Sequence, residues 1–188
     1  MPLSQLLPRR RRPSATVPPA VTSRLEPGQK LLAAVPIAAD GSAWALALAG
    51  SLTLIAGEEL RCWEWAQVDR ASWAGEERCF TLHWLEPGQE PLLLVVPEEI
   101  QIGDKTAEVD PNPFARVLRE RVDSVVVHRV SGTLSGGEPV SVSARRAADG
   151  SLFTTVSGVL VEDLSEADRE VLAALERRLK DGVGLPTT

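Results

Sequence analysis

The sequence predicts an α+β protein, mainly β with two α-helices, each helix following a run of short strands. Three observations carry this reading. Apolar stretches of strand length, separated by turns rich in Gly, Asp and Pro, run from Lys30 to Val96 and again from Val126 to Val156. Two segments instead show helical spacing: Phe114, Val117, Leu118, Val122 and Val125, and then Val171, Leu172, Leu175 and Leu179. Finally, Leu60–Trp84 holds four of the five tryptophans and both cysteines, which marks where a core is densest.

The elements can be taken in chain order. Lys30–Ile37 reads as the first strand, and Ala39-Asp40-Gly41-Ser42 as a turn with Asp-Gly at its centre. In Ala43–Ala49, Trp44, Leu46 and Leu48 alternate with alanines, so both faces are apolar and the strand is expected to be covered on both sides. Leu52–Ala56, Leu60–Ala66, Arg70–Ala74, Arg78–Leu85 and Pro91–Val96 complete seven strands. Alternation places Trp63 and Trp65 on one strand face, and Phe80, Leu82 and Trp84 on another, as core rather than as an aromatic ligand platform. The first helix is expected to start with Asn112 as N-cap and Pro113 in its first turn.

The chain then changes style. Val126–Leu134, Pro139–Arg146 and Leu152–Val156 read as a three-stranded meander, with Ser141, Ser143 and Arg145 opposite the apolar Val140, Val142 and Ala144. The last helix begins after Ser165, with Asp168 as the acidic partner of a capping box, and Gly182 is expected to stop it. A β-β-β-α unit of this size, 126–182, is small for an independent domain and is expected to pack on the first unit.

Charge is unevenly distributed. Residues 1–24 contain Arg9, Arg10, Arg11 and Arg12, five prolines and no acid; they carry +5, leaving −11 on the remainder of a chain whose total is −6. The prolines interrupt any continuous helix, so 1–24 is expected to be a disordered tail. Its arginines are candidate contacts for nucleic acid, anionic lipid or an acidic protein, or else a solvated tail with no partner. The residues after Arg12, PSATVPPAV, are too few and too proline-broken for the apolar stretch of a twin-arginine export signal. No apolar run approaches the roughly 20 residues of a spanning helix, and two cysteines make no disulfide framework, so a soluble cytoplasmic protein is expected.

Seven antiparallel strands followed by one amphipathic helix is the order found in pleckstrin-homology domains. The stretch from Gly28 to Trp73, with Trp65-Ala66-Gln67-Val68 between two strand groups, resembles the bacterial PH-like pattern and is similar to a group of actinobacterial PH-like proteins. The resemblance covers about Leu25 to Val125. It implies a PH-like seven-stranded split barrel capped by the helix over 25–125, with 126–182 as an appended unit. It also implies a test for phosphoinositide binding, since lipid-binding relatives carry basic residues at the first hairpin loop. Here that loop, Ala39–Ser42, has neither Arg nor Lys, and no headgroup is expected there.

Catalytic and metal chemistry find little support. Cys79 and His83 lie four residues apart on one strand, roughly 13 Å, whereas two zinc ligands sit within about 4 Å of each other. Cys62 and His128 add no ligand spacing, and neither Gly-x-Ser-x-Gly nor Ser-x-x-Lys occurs. Glu58-Glu59, Glu76-Glu77 and Glu98-Glu99 read as solvated loop tips, and Gly132–Gly137 as a hairpin lacking the Lys of a phosphate loop. No enzyme and no cofactor are implied. The expected function is a non-catalytic interaction module or scaffold that binds another protein or itself, through a sheet edge or the groove beside the Pro113 helix. The alternative is peripheral attachment to anionic membrane or nucleic acid through Arg9–Arg12.

Overall fold

In the computed structural model, residues 16–86, 88–159 and 164–183 are described. Arg9–Arg12 lie outside them. A single-turn helix α1 (Pro19–Thr22) leads into a four-stranded sheet of β1 (Leu31–Pro36), β2 (Ala43–Leu48), β3 (Ser51–Ala56) and β4 (Glu59–Glu64), in that order. A 3₁₀ turn (Trp65–Gln67) passes the chain to a three-stranded sheet of β5 (Val68–Ala74), β6 (Cys79–Trp84) and β7 (Leu92–Val95). A hairpin of β8 (Glu99–Ile102) and β9 (Lys105–Glu108) precedes α2 (Asn112–Ser124). The C-terminal unit is a meander of β10 (Val126–Thr133), β11 (Pro139–Arg146) and β12 (Leu152–Ser157), with α3 (Glu166–Val183) after it. Every strand pair is antiparallel, and among the described residues no sheet closes into a barrel.

The doubly apolar β2 is buried from Trp44 to Leu48, as its composition predicts. The α2 stripe, Phe114, Val117, Leu118 and Val122, closes the first core against both sheets, with Phe114 meeting Phe80 edge-on at 5.3 Å. Each such full burial stabilises the fold by roughly 2 kcal/mol. A second core lies between the meander and α3, where Val130, Val142, Leu172, Leu175 and Leu179 pack together. The Ser165–Asp168 capping box forms, with the Asp168 amide donating to Ser165 Oγ at 3.2 Å.

Several expectations need correction. Residues 16–24 are not tail: Val21 is buried, and Arg24 donates to the carbonyls of Gly57 and, at 2.7 Å, Glu58. Consecutive prolines, which exclude a long helix, suit the first positions of the short α1. Trp65 does not continue β4. Glu64 and Gln67 cap the 3₁₀ turn, and this directs the Trp65 ring inward, where Nε1 donates to the Leu48 carbonyl at 3.0 Å. Trp63 remains on β4 and stacks on Trp84 at 5.2 Å, both rings half-buried.

The seven strands expected before α2 are nine: the chain bends at Glu98, and Glu99 opens β8, which pairs with β9. In the β8–β9 hairpin Ile100 is fully buried against Gly41, Ile102 is exposed and Ala107 half-buried, and strands of four residues give alternation little length in which to show. Asn112 is the first helical residue, not the N-cap; Asp110 Oδ1 accepts from its amide at 3.0 Å. Nor does Gly182 stop α3, which runs through it to Val183. A Cβ there would lie 2.8 Å from Nε2 of His128, so the missing side chain lets the helix approach β10.

Candidate functional site

A cleft of about 450 Å³ lies between β5 on one side and α2 with the start of β10 on the other. Five consecutive β5 residues, Asp69 to Trp73, line it. Side chains alternate along a strand, so a cavity over one face would meet only every second residue. Five in succession place the cleft beside the strand. β5 pairs with β6 on one side and with no strand on the other, so the cleft runs along its free edge.

The two ends of the cleft differ. Near the end of β5, Trp73 packs on Phe80 at 4.3 Å, and Ala115 and Leu118 of α2 complete an apolar wall. Near the start of β5 the lining is charged: Asp69, Arg70, Asp123 and Arg129. There the cleft continues into a second space of about 310 Å³, between β5 and the meander, lined again by Asp69, Arg70 and Arg129 and by Ser131, Ser141 and Ser157.

The charged end is built where the two units meet. Arg145 of β11 is fully buried; its Nη2 donates to the Val68 carbonyl, and its Nη1 lies 3.8 Å from Asp69 Oδ1. Ser157 of β12 donates to the same Asp69 oxygen at 2.9 Å. Arg129 donates from Nε to Ser143 Oγ at 3.0 Å. Burial holds the Arg145 guanidinium below its ordinary pKa; Asp69 opposes that shift and Arg129 reinforces it. Its Nε and Nη1 have no hydrogen-bond partner among the described residues.

Alternation along β11 predicts Ser141, Ser143 and Arg145 on the side away from the apolar core, and they are there. That side is not solvent, however. It is the face that docks on β5, and Ser143 and Arg145 are buried within it. The sequence carried one faint signal: small serines flank a long cation on a strand, which leaves room for another strand to approach. Asp69, Arg70 and Arg129 had none, since each sits in a stretch that reads as an ordinary half-solvated strand.

The other candidate residues are scattered. Cys62 lies exposed on β4, while Cys79 and His83 are on β6 in the other sheet and His128 is exposed on β10; both thiols are free. No group of three or more His, Cys, Asp or Glu among the described residues could hold a metal ion. The first hairpin loop is stabilised by Asp40, whose carboxylate accepts from the Ser42 amide and hydroxyl at 3.0 and 2.7 Å. It is also backed by β8, whose Gln101 amide donates to the Ala39 carbonyl at 2.8 Å. No helix among the described residues is long and apolar enough to cross a membrane.

The fold and site thus define an α+β protein of two antiparallel-sheet units with a half-apolar, half-charged cleft at their junction. Compared with known families, curated proteins and solved structures, the chain gives no match.

Proposed function

We propose that this chain is a non-catalytic interaction module of PH-like architecture that binds an extended segment of another protein along β5. The observation that carries the reading is the open edge of β5 facing a cleft whose far wall is α2. An unpaired strand edge offers backbone donors and acceptors to an incoming strand, and an adjacent apolar wall holds its side chains. The PH-like reading is supported by the order of the elements, a four-stranded and a three-stranded antiparallel sheet and then, after the β8–β9 hairpin, a helix packed on both. A first hairpin loop without a cation and backed by β8 favours protein over a phosphoinositide headgroup.

Amide chemical-shift mapping during titration with candidate peptides tests the proposal. Shifts concentrated on Asp69–Trp73 and on the Ala115–Val122 face of α2 are expected. Shifts confined to β1–β4 would overturn it. A subsidiary electrostatic contact through Arg9–Arg12 with anionic membrane or nucleic acid rests on the charge contrast between that segment and the acidic remainder.

A further inference from the structure

We infer that the β5 cleft selects an acidic segment, with one carboxylate held between Arg70 and Arg129 and a large apolar side chain seated against Trp73 and Leu118. This rests on the binding mode proposed above and names the chemistry of its ligand.

Most of the charges around the cleft are already satisfied. Asp69 accepts from Ser157 and faces Arg145 Nη1 at 3.8 Å. Asp123 is paired with Arg119 at 3.7 Å. Arg129 spends only Nε, on Ser143, which leaves both its terminal nitrogens available. Arg70 has no hydrogen-bond or ion-pair partner among the described residues. Two guanidinium groups therefore remain at one end of the cleft, and both border the same two connected spaces. A planar guanidinium pairs best with a carboxylate, which can accept two parallel hydrogen bonds.

The cation pair stands out because the chain outside residues 1–24 carries −11. The field of the rest of the fold would repel an acidic partner, so attraction has to be local. The buried Arg145 strengthens it. Its buried guanidinium faces Asp69, so that this carboxylate of the cleft lining is already engaged.

Spacing is set by the strand. Arg70 and Trp73 are three residues apart on β5, about 10 Å at the rise of an extended chain. A segment lying alongside in extended form would place its acidic and apolar side chains three residues apart. An acidic peptide with that spacing is the committed occupant, since neither a second cation nor a wholly apolar segment would satisfy both ends.

The test uses the full chain against a displayed library of random twelve-residue peptides, and then the selected peptides in solution. The wild type is expected to enrich Asp or Glu three positions from a large apolar residue. Replacing that acid by its amide should weaken binding about tenfold. In the R70Q/R129Q double variant this discrimination should fall to about onefold, with amide-peptide binding unchanged, while R61Q on β4 keeps it. Both arginines are exposed, and a thermal melt checks that the double variant folds. Peptides that shift the Asp69–Trp73 amides without any acidic preference would overturn the inference and leave the groove reading standing. If no peptide binds along β5, both fail.

Discussion

Nη2 of Arg145 donates a hydrogen bond to the carbonyl oxygen of Val68, 77 residues earlier in the chain. With the hydrogen bond from Ser157 to Asp69, this contact joins the C-terminal meander to the entry of β5. It also places a guanidinium where no solvent reaches it, with Asp69 as its counter-charge.

Removing one member of a buried charge pair leaves the other uncompensated, which costs more than removing the buried charge itself. Asp69→Asn is therefore expected to destabilise the protein by about 2 kcal/mol, a value moderated by the partial exposure of Asp69. Arg145→Met, which deletes the charge together with its desolvation, should cost less. Urea unfolding of both variants measures the difference. The opposite ranking would mean that the Arg145–Val68 hydrogen bond, not charge compensation, holds the junction.

Gly158, at the end of β12, has φ +105°, and a Cβ there would lie 2.5 Å from the Pro139 carbonyl oxygen. Gly150, in the β11–β12 turn, has φ +85° but open space around it. Gly158→Ala carries both backbone strain and a clash with main chain, Gly150→Ala strain alone. We expect losses of about 3 and about 1 kcal/mol respectively in the same unfolding experiment. Equal losses would show that the β12 end shifts to accept the methyl group.

The Asp168 carboxylate is held below its ordinary pKa of 3.8 by hydrogen bonds from the Ser165 hydroxyl, then from the Ser135 hydroxyl and amide. The folded state thus binds its proton less tightly than the unfolded chain. The resulting stability is complete above about pH 4 and is lost as the pH falls through the lowered folded value. Thermal melts of the wild type and Asp168→Asn should differ at pH 6 and converge near pH 2. A gap that persists at the acid end would assign the effect to packing of α3.

The Arg9–Arg12 contact is tested by a chain beginning at Thr16, because a later start would remove the buried Val21. Full-length protein should sediment with anionic vesicles or retard DNA at low salt and lose both at high salt, while the shortened chain does neither. Equal behaviour of the two proteins would exclude Arg9–Arg12 as the contact.

Much of the fold was legible because it rests on local pattern. Ala43–Leu48, apolar on both faces, is buried on both; the stripe from Phe114 to Val122 lies against the first core; and Ser165 with Asp168 caps α3. The β8–β9 hairpin was not legible, since its strands are four residues long and the alternation of Ile100 and Ile102 is too short to set a period. Trp65 misled for a related reason: alternation continues smoothly through it, whereas the chain must turn there to change sheets.

The cleft is a different matter. By itself the sequence determined two units, ten of their strands and the helices α2 and α3, two apolar faces and a polarity split between a basic segment and an acidic remainder. Those properties depend on the spacing of neighbouring residues, which is present before folding. Only the tertiary structure decided that Arg145 is buried, that Asp69 answers it, and that Arg70 and Arg129 share one space beside a free strand edge. These residues are distant in sequence and individually ordinary. What makes them a site is the docking of one sheet against the edge of another, and no local period encodes that.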